Sequence, residues 1–221
     1  MYAFGRSVAF GLAIVVGMGG AARGADNLCA DMTAWPFGAG ERMVPTAPAA
    51  AKPLDFLKRV VAAGFPYPKG WRERIATEPV DPPIYRLLTA SALVNGIKVT
   101  PEPADVWKAP VRFLAEGGDC EDAAIAKYAL LRDIGYAATD LRMTVVHVRG
   151  RPTLHMILVV RAGPTPFETI VLDNAGTGVR AALYCEEMKP LISLNESAVW
   201  QHDPAGERLI AALGNVCTAG P

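Results

Sequence analysis

A cysteine at the predicted start of a helix is the residue of this sequence best suited to chemistry. It lies in the run Gly-Gly-Asp-Cys-Glu-Asp at residues 117–122, and Gly135 closes the helical stretch that follows. The glycines allow a sharp turn, Asp119 is predicted to cap the helix, and Asp122 is predicted to reach back as in a capping box. Cys120 then occupies the first helical position. Unpaired N–H groups and the helix dipole favour the thiolate there, which is the nucleophilic form.

A histidine and an aspartate downstream could complete a catalytic group with this cysteine. His155 lies near the start of a predicted strand and, by strand parity, shares a face with Ile157 and Val159. Asp173 ends the next predicted strand, where its carboxylate could orient the imidazole. A Cys–His pair with a third, orienting group is the general arrangement for thiol acyl transfer. His147 matches no such pattern and is predicted to be structural.

The elements that must position these residues can be read from hydrophobic periodicity and turn residues. Apolar spacing predicts four helices, at residues 54–63, 72–77, 84–95 and 120–134. Composition rich in Val, Leu, Ile and Met predicts three strands, at residues 141–148, 154–161 and 168–172, with a hairpin turn at 149–153. Prolines at 101, 103 and 110 indicate a loop that carries Trp107. This order predicts an α+β fold with an N-terminal helical layer packed on an antiparallel sheet.

Length and charge limit the classes of function. The 221 residues suffice for one domain with a core. The predicted organisation is a signal peptide at 1–24, an irregular N-terminal arm at 25–53 and a catalytic domain at 54–221. The 22 basic and 22 acidic residues give a formal net charge of zero. The sequence therefore lacks a basic footprint for nucleic acid and a basic stripe for a membrane surface.

The N-terminal residues are typical of a cleaved signal peptide. Arg6 precedes a mostly apolar, uncharged stretch from Val8 to Met18, and small residues follow it. The stretch is too short to span a bilayer comfortably, and cleavage after Ala22 or after Gly24 would fit. The sequence thus predicts export, without membrane insertion after the signal is removed.

Export would expose four cysteines, Cys29, Cys120, Cys185 and Cys217, to an oxidising compartment. Two disulfides among them would make a disulfide-stapled structural protein, which is the alternative to a catalytic Cys120. If Cys120 is catalytic, at most one internal disulfide remains and three pairings are open. We predict Cys29–Cys217, because both residues lie in irregular terminal regions.

These motifs in combination resemble those of the bacterial transglutaminase-like cysteine proteinases. The similarity covers residues 84–202 and rests on residues 118–128, on His155-Met156 and on the run Val-Leu-Asp-Asn at 171–174, with residues 94–95 and 107–110 upstream. It implies a papain/transglutaminase-like fold in which Cys120 is the nucleophile, His155 the base and Asp173 the orienting acid.

The resemblance also implies a biological setting. Members are periplasmic cysteine endopeptidases, and the best-known ones cut an Ala–Ala bond near the N-terminus of a large surface adhesin. They depend on calcium and are controlled by an inner-membrane receptor for a cyclic dinucleotide. A transglutaminase or other acyl transferase with the same triad, and a non-catalytic exported binding module, are the alternatives.

Calcium also has a physical argument of its own. Asp119, Glu121 and Asp122 would surround the thiolate with three carboxylates, which raises the cysteine pKa and opposes the helix dipole. A divalent cation bound by their oxygens would remove this conflict, and the family associates these positions with calcium. The three carboxylates are therefore the predicted metal ligands. The alternative is an acidic first turn that stabilises any helix.

Overall fold

The computed structural model describes residues 42–44, 48–81, 83–100, 106–163, 169–175, 178–181, 185 and 187–203. The predicted signal peptide at 1–24 and residues 25–41 of the predicted arm lie outside this part of the chain. None of the helices within it is long and apolar enough to cross a membrane.

Five α-helices make up the helical layer of the described chain. They are α1 (Pro48–Ala63), α2 (Trp71–Ala76), α3 (Ile84–Asn95), α4 (Pro110–Glu116) and α5 (Cys120–Asp133), and a 3-10 turn (Ala138–Asp140) leads into the strands. The four predicted helices are confirmed. The loop predicted around Pro110 is in part wrong, because Pro110 starts α4: a proline fits the first turn, where its missing N–H has no helical partner.

The strands form one sheet in which every neighbouring pair is antiparallel. In chain order they are β1 (Arg42–Val44), β2 (Leu141–Val148), β3 (Leu154–Arg161), β4 (Thr169–Leu172), β5 (Val179–Ala181), β6 (Met188–Leu194) and β7 (Val199–Gln201). The order across the sheet is β1-β7-β6-β2-β3-β4-β5. The predicted α+β architecture and the β2–β3 hairpin are confirmed, and Gly150 in its turn has φ of 79°.

Two elements fall inside the stretch predicted to be an irregular arm at 25–53. β1 pairs with β7, and α1 begins at Pro48 rather than at residue 54. Pro53 is predicted to precede the helix but lies inside it, where it removes one backbone hydrogen bond and its ring crowds the carbonyl four residues earlier. The arm prediction is therefore wrong for residues 42–44 and 48–53.

The sheet buries side chains on both faces. The face toward the helices carries alternate residues of the central strands, such as Met143, Val145 and Leu158, in one core with α1, α3 and α5. The opposite face carries a smaller apolar cluster, formed by Val146, Val148, Ile157, Val159, Val171, Cys185 and Met188. Strands buried on both faces read as continuous apolar runs, which is why β2 and β3 stand out in the sequence.

Helix α5 is enclosed on all sides. It contacts α1, α3, α4, β2 and β3, and every residue from Cys120 to Leu131 is buried. Lys127 lies in the middle of this helix at 1% exposure. Burial lowers the pKa of its ammonium group to about 7, although attraction to Asp173 opposes the shift.

Lys127 should make stability depend on pH. Its folded pKa lies below the unfolded value of 10.5, so above pH 7 the unfolded state holds a proton that the folded state does not. The free energy of unfolding should therefore rise between pH 7 and 9, by roughly 2–3 kcal/mol. Lys127→Met should remove this rise, and the exposed control Lys58→Met should keep it. Urea titrations across this range measure the slopes, and equal slopes in both variants would contradict the assignment.

Candidate active site

The loop before Cys120 is shaped by its two glycines, each for a different reason. Gly117 has φ of 76°, a conformation that favours glycine. A Cβ at Gly118 would collide with the side chain of Asp122. The loop is held by residues 98–100, since Thr100 N donates to the Gly118 carbonyl at 2.9 Å and Gly118 N to the Lys98 carbonyl at 3.3 Å.

The predicted capping of α5 by side chains is wrong. Asp119 is the N-cap residue by position, but its side chain makes no capping hydrogen bond. Asp122 does not reach back within the helix either: its Oδ1 accepts the backbone N–H of Lys108 at 2.7 Å. The first turn of α5 is thus tied to the segment that precedes α4, rather than to itself.

Lys108 is a buried residue that sequence reasoning missed. Its Nζ donates to the Gly117 carbonyl at 2.7 Å and lies 3.9 Å from the carboxylate of Glu116. Together with the Lys108–Asp122 bond, these contacts connect both ends of the loop that leads to Cys120. The sequence offers little signal for this role, because lysines are usually exposed. Next to it, Trp107 packs edge-to-face on Phe56 at 5.9 Å.

The sulfur of Cys120 meets strand β3 at a free position of its edge. Pairing of β3 with β4 ends at Leu158–Leu172, so β4 does not cover the earlier residues of β3. The Met156 N–H donates to Cys120 Sγ at 3.3 Å. Cys120 is 7% exposed, and Glu121 Oε2 lies 3.5 Å from the same sulfur.

His155 and Asp173 form a buried pair directly beside this contact. His155 Nε2 and Asp173 Oδ1 are 2.7 Å apart. Burial alone would raise the pKa of the Asp173 carboxyl. The hydrogen bond and attraction from His155, the Ala175 N–H and Lys127 together lower the pKa below its usual value. The structure therefore keeps Asp173 ionised, as an acceptor that orients the ring.

The backbone around Asp173 is fixed by three hydrogen bonds. Asn95 Nδ2, at the end of α3, donates to the Asp173 carbonyl at 2.7 Å. Asp173 N donates to the Gly178 carbonyl at 2.6 Å, and Ala175 N donates to Asp173 Oδ1 at 2.9 Å. Asn95 is therefore a positioning residue whose partner could not be derived from the sequence.

The other histidines lie elsewhere. His147 is opposite Leu154 in the hairpin, and no contact in the described chain joins it to Cys120. His202 bonds Ser193 Oγ at 2.8 Å through Nε2. Burial, and then repulsion from Arg142, lower the pKa of His202 to about 4, so it is neutral at physiological pH.

The predicted metal ligands have different contacts in the structure. Asp122 bonds Lys108, and Glu121 approaches the Cys120 sulfur. Asp119 Oδ1 is buried and has no hydrogen-bond partner among the described residues. Within that part of the chain, no three His, Cys, Asp or Glu side chains form a metal-binding group.

Asp119 instead lines a small cavity with two asparagines. The cavity measures about 10 Å³, near the size that one water or ion needs, and Asn95 and Asn174 also line it. The side-chain oxygens of both asparagines are buried and lack hydrogen-bond partners within the described ranges. Three oxygen ligands of the type that hard cations prefer therefore surround one small space.

The cysteines differ in state. Cys120 is disulfide-bonded in the structure. Cys185 is a buried thiol whose Sγ donates to the Ala181 carbonyl at 3.7 Å. Cys29 and Cys217 lie outside the described residues. Because Cys120 is bonded and Cys185 is free, one of these two is the partner of Cys120, and the predicted Cys29–Cys217 disulfide is wrong for this oxidised form.

Residues 97–186 match the family model of the bacterial transglutaminase-like cysteine proteinases. This segment contains Cys120, His155 and Asp173. No functionally curated protein matches the chain by sequence.

The fold is similar to solved structures of LapG from Legionella pneumophila. The calcium-bound structure is 26% identical, with a TM-score of 0.53 over 67% of this chain and 87% of LapG. The EGTA-treated structure is also 26% identical, with a TM-score of 0.51 over 69% and 87% of the two chains. A third LapG structure has the same identity and TM-score over 72% and 93%.

The predicted transglutaminase-like fold is confirmed by this similarity, and the family match spans the segment in which the cysteine helix meets the sheet. Over residues 97–186 the chain therefore matches the bacterial transglutaminase-like cysteine proteinases, and this match, together with the similarity to LapG, identifies it as a cysteine peptidase.

Proposed function

We propose that the enzyme hydrolyses a peptide bond of an exported protein with Cys120 as nucleophile, His155 as general base and acid, and Asp173 as the orienting carboxylate. The observation that carries this proposal is the buried 2.7 Å contact between His155 Nε2 and Asp173 Oδ1. It lies next to the residue whose N–H reaches Cys120 Sγ at 3.3 Å. A histidine beside a cysteine and backed by a carboxylate is the unit that activates a thiol.

The roles follow from the hydrogen-bonding pattern. Asp173, as an acceptor, holds the proton of His155 on Nε2 and leaves Nδ1 to take the proton of the Cys120 thiol. The thiolate attacks the carbonyl carbon, and the imidazolium gives its proton to the leaving amine. A water molecule, deprotonated by His155, then hydrolyses the thioester. Backbone N–H groups at the start of α5 have no helical acceptor and can stabilise the oxyanion.

Periplasmic location, an Ala–Ala cleavage site in a surface adhesin and control by an inner-membrane receptor belong to this proposal through the family resemblance alone. The non-catalytic alternative is favoured by one observation, the disulfide at Cys120. However, a merely structural disulfide gives no reason for a buried His155–Asp173 pair beside it. We therefore propose that the peptidase acts in the form in which Cys120 is reduced.

Calcium binding through Asp119 is a further part of the proposal. The unpartnered Asp119 oxygen and the oxygens of Asn95 and Asn174 support a site for a hard cation at the cavity that they line. A bound calcium ion would offset the negative charge of the first turn of α5. Glu121 remains a predicted ligand. Asp122 already accepts a hydrogen bond from Lys108, which leaves it fewer lone pairs for a metal.

Substitutions in the triad should separate catalytic from structural histidines. Cys120→Ala should abolish cleavage, and His155→Ala should lower kcat by roughly 10³-fold or more, as loss of a catalytic base does. The control His147→Ala should retain activity near that of the wild type. Peptide turnover per folded molecule, with folding checked by circular dichroism, measures these effects. Cleavage by Cys120→Ala at the wild-type rate would refute the proposed nucleophile.

Activity should depend on reduction. Oxidised enzyme should not cleave peptides or react with a thiol-directed label at Cys120, whereas a dithiol reductant should restore both. Cys29 and Cys217 supply the matched variants, since removal of the cysteine that bonds Cys120 should make activity independent of reductant. A Cys120 that stays unreactive in fully reduced, folded protein would favour the structural alternative.

Calcium removal should inactivate the reduced enzyme. Chelation with EGTA should abolish cleavage and calcium should restore it. Asp119→Asn should raise the calcium concentration required by about tenfold or more, because one ligand charge is lost. The exposed control Glu73→Gln should not change it. Calorimetry of calcium binding to the Cys120→Ala protein, with and without Asp119→Asn or Glu73→Gln, compares the calcium affinities without turnover. Full activity in excess EGTA would exclude the calcium part of the proposal.

A further inference from the structure

A second, larger cavity lies against the His155–Asp173 pair. It measures about 390 Å³, and the two residues of the pair line one side. Arg149, Arg151 and Arg180 line other sides, and we name this space the arginine pocket. Cys120 is not among its lining residues.

One guanidinium group of the arginine pocket has no carboxylate partner among the described residues. Its two carboxylates are engaged, because Asp173 bonds His155 and Glu187 pairs with Arg180 at 2.6 Å. Arg151 makes no ion pair with any carboxylate in the described part of the chain. The Arg151 guanidinium therefore brings a positive charge to the pocket that no carboxylate of the described residues neutralises, which favours an anionic group.

The hairpin fixes where the arginines stand. Arg151 N donates to the Val148 carbonyl at 3.0 Å, and Gly150 adopts φ of 79° within the turn. Arg149 N donates to the Glu187 carbonyl at 2.7 Å, which ties the turn to the start of β6. Backbone bonds thus hold the tip of the β2–β3 hairpin at the rim of the pocket.

The chemistry of thiol catalysis indicates which half of a substrate meets this pocket. The acyl half becomes bonded to Cys120 Sγ, whereas the leaving amine receives its proton from His155. A space that is lined by His155 and not by Cys120 therefore receives the residues after the scissile bond.

We infer that the arginine pocket binds an acidic side chain, Asp or Glu, of the substrate polypeptide within the first residues after the scissile bond, with Arg151 as its main donor. A guanidinium forms paired hydrogen bonds with a carboxylate and so adds orientation as well as attraction. This inference rests on the proposed peptidase function and names a specificity determinant for it.

Two peptides that differ only in Glu or Gln after the scissile bond test the cleavage preference. A mixed peptide library is first cut with the reduced, calcium-loaded enzyme, and the pair is designed from the sequences that are cleaved. We expect acidic residues to be enriched after the cut sites. The Glu peptide should have a kcat/KM about five- to tenfold higher than the Gln peptide, a preference that falls as ionic strength rises. Arg151→Gln should remove this preference, and the control Arg74→Gln on α2 should keep it.

Binding can be measured without cleavage on Cys120→Ala protein. Two synthetic peptides, Ala-Ala-Glu-Gly and Ala-Ala-Gln-Gly with blocked ends, serve as probes, and calorimetry or the imidazole NMR signal of His155 reports their affinities. The Glu peptide should bind about five- to tenfold more tightly, and only Arg151→Gln should remove the difference. Equal affinities, or a difference that survives Arg151→Gln, would overturn the inference. Absence of cleavage by the reduced wild type would instead count against the proposed function. The affinities do not depend on cleavage, so the two failures can be told apart.

Discussion

The enclosure of helix α5 is the constraint on which the site depends. The helix contacts three other helices and two central strands, and its residues are buried from Cys120 to Leu131. It cannot shift along its axis without opening the core, so the residue at its first position is fixed relative to the sheet. The proposed nucleophile is therefore carried by a helix that is buried along most of its length, and fixed placement is what reactions between positioned groups require.

The sheet contributes to the site because the pairing between β3 and β4 ends at Leu158–Leu172. β4 leaves the side of β3 after Leu172, so the Met156 N–H is available to the sulfur rather than to a strand. The residue that follows β4 is Asp173, which reaches His155. One change in strand pairing therefore frees the Met156 N–H for the Cys120 sulfur and brings the Asp173 carboxylate to His155.

Much of this arrangement could be predicted from the sequence because it follows local patterns. Helix α3 and strands β2 and β3 have the predicted bounds, since long periodic or apolar runs specify them. The short strands β5 and β7 have three residues each and offer too little pattern. β6 contains Pro190, which normally argues against a paired strand. Here the register shifts between Val145 and Val146, opposite the proline, and such a bulge accommodates it.

In the candidate site too, features that follow local patterns could be predicted, whereas features that depend on tertiary contacts could not. Cys120, His155 and Asp173 could be selected because each stands at the end of a predictable element. The partners of Asp122 and Asp119 could not, because they come from the segment before α4, from the end of α3 and from the turn after β4. Local rules predicted that both aspartates would serve their own helix. Tertiary contacts give Asp122 to Lys108 and leave Asp119 facing a cavity.

The close fit between Gly118 and Asp122 limits how this loop can change in evolution. A side chain at position 118 would need the space that the Asp122 carboxylate occupies. A shorter residue at position 122 would free that space, but it would leave the buried Lys108 N–H without its acceptor. Single substitutions at either position are therefore harmful, and a second one does not compensate fully. Gly118 and Asp122 should therefore both be retained, and the loop that leads to Cys120 should diverge more slowly than the hairpin tip that bounds the arginine pocket.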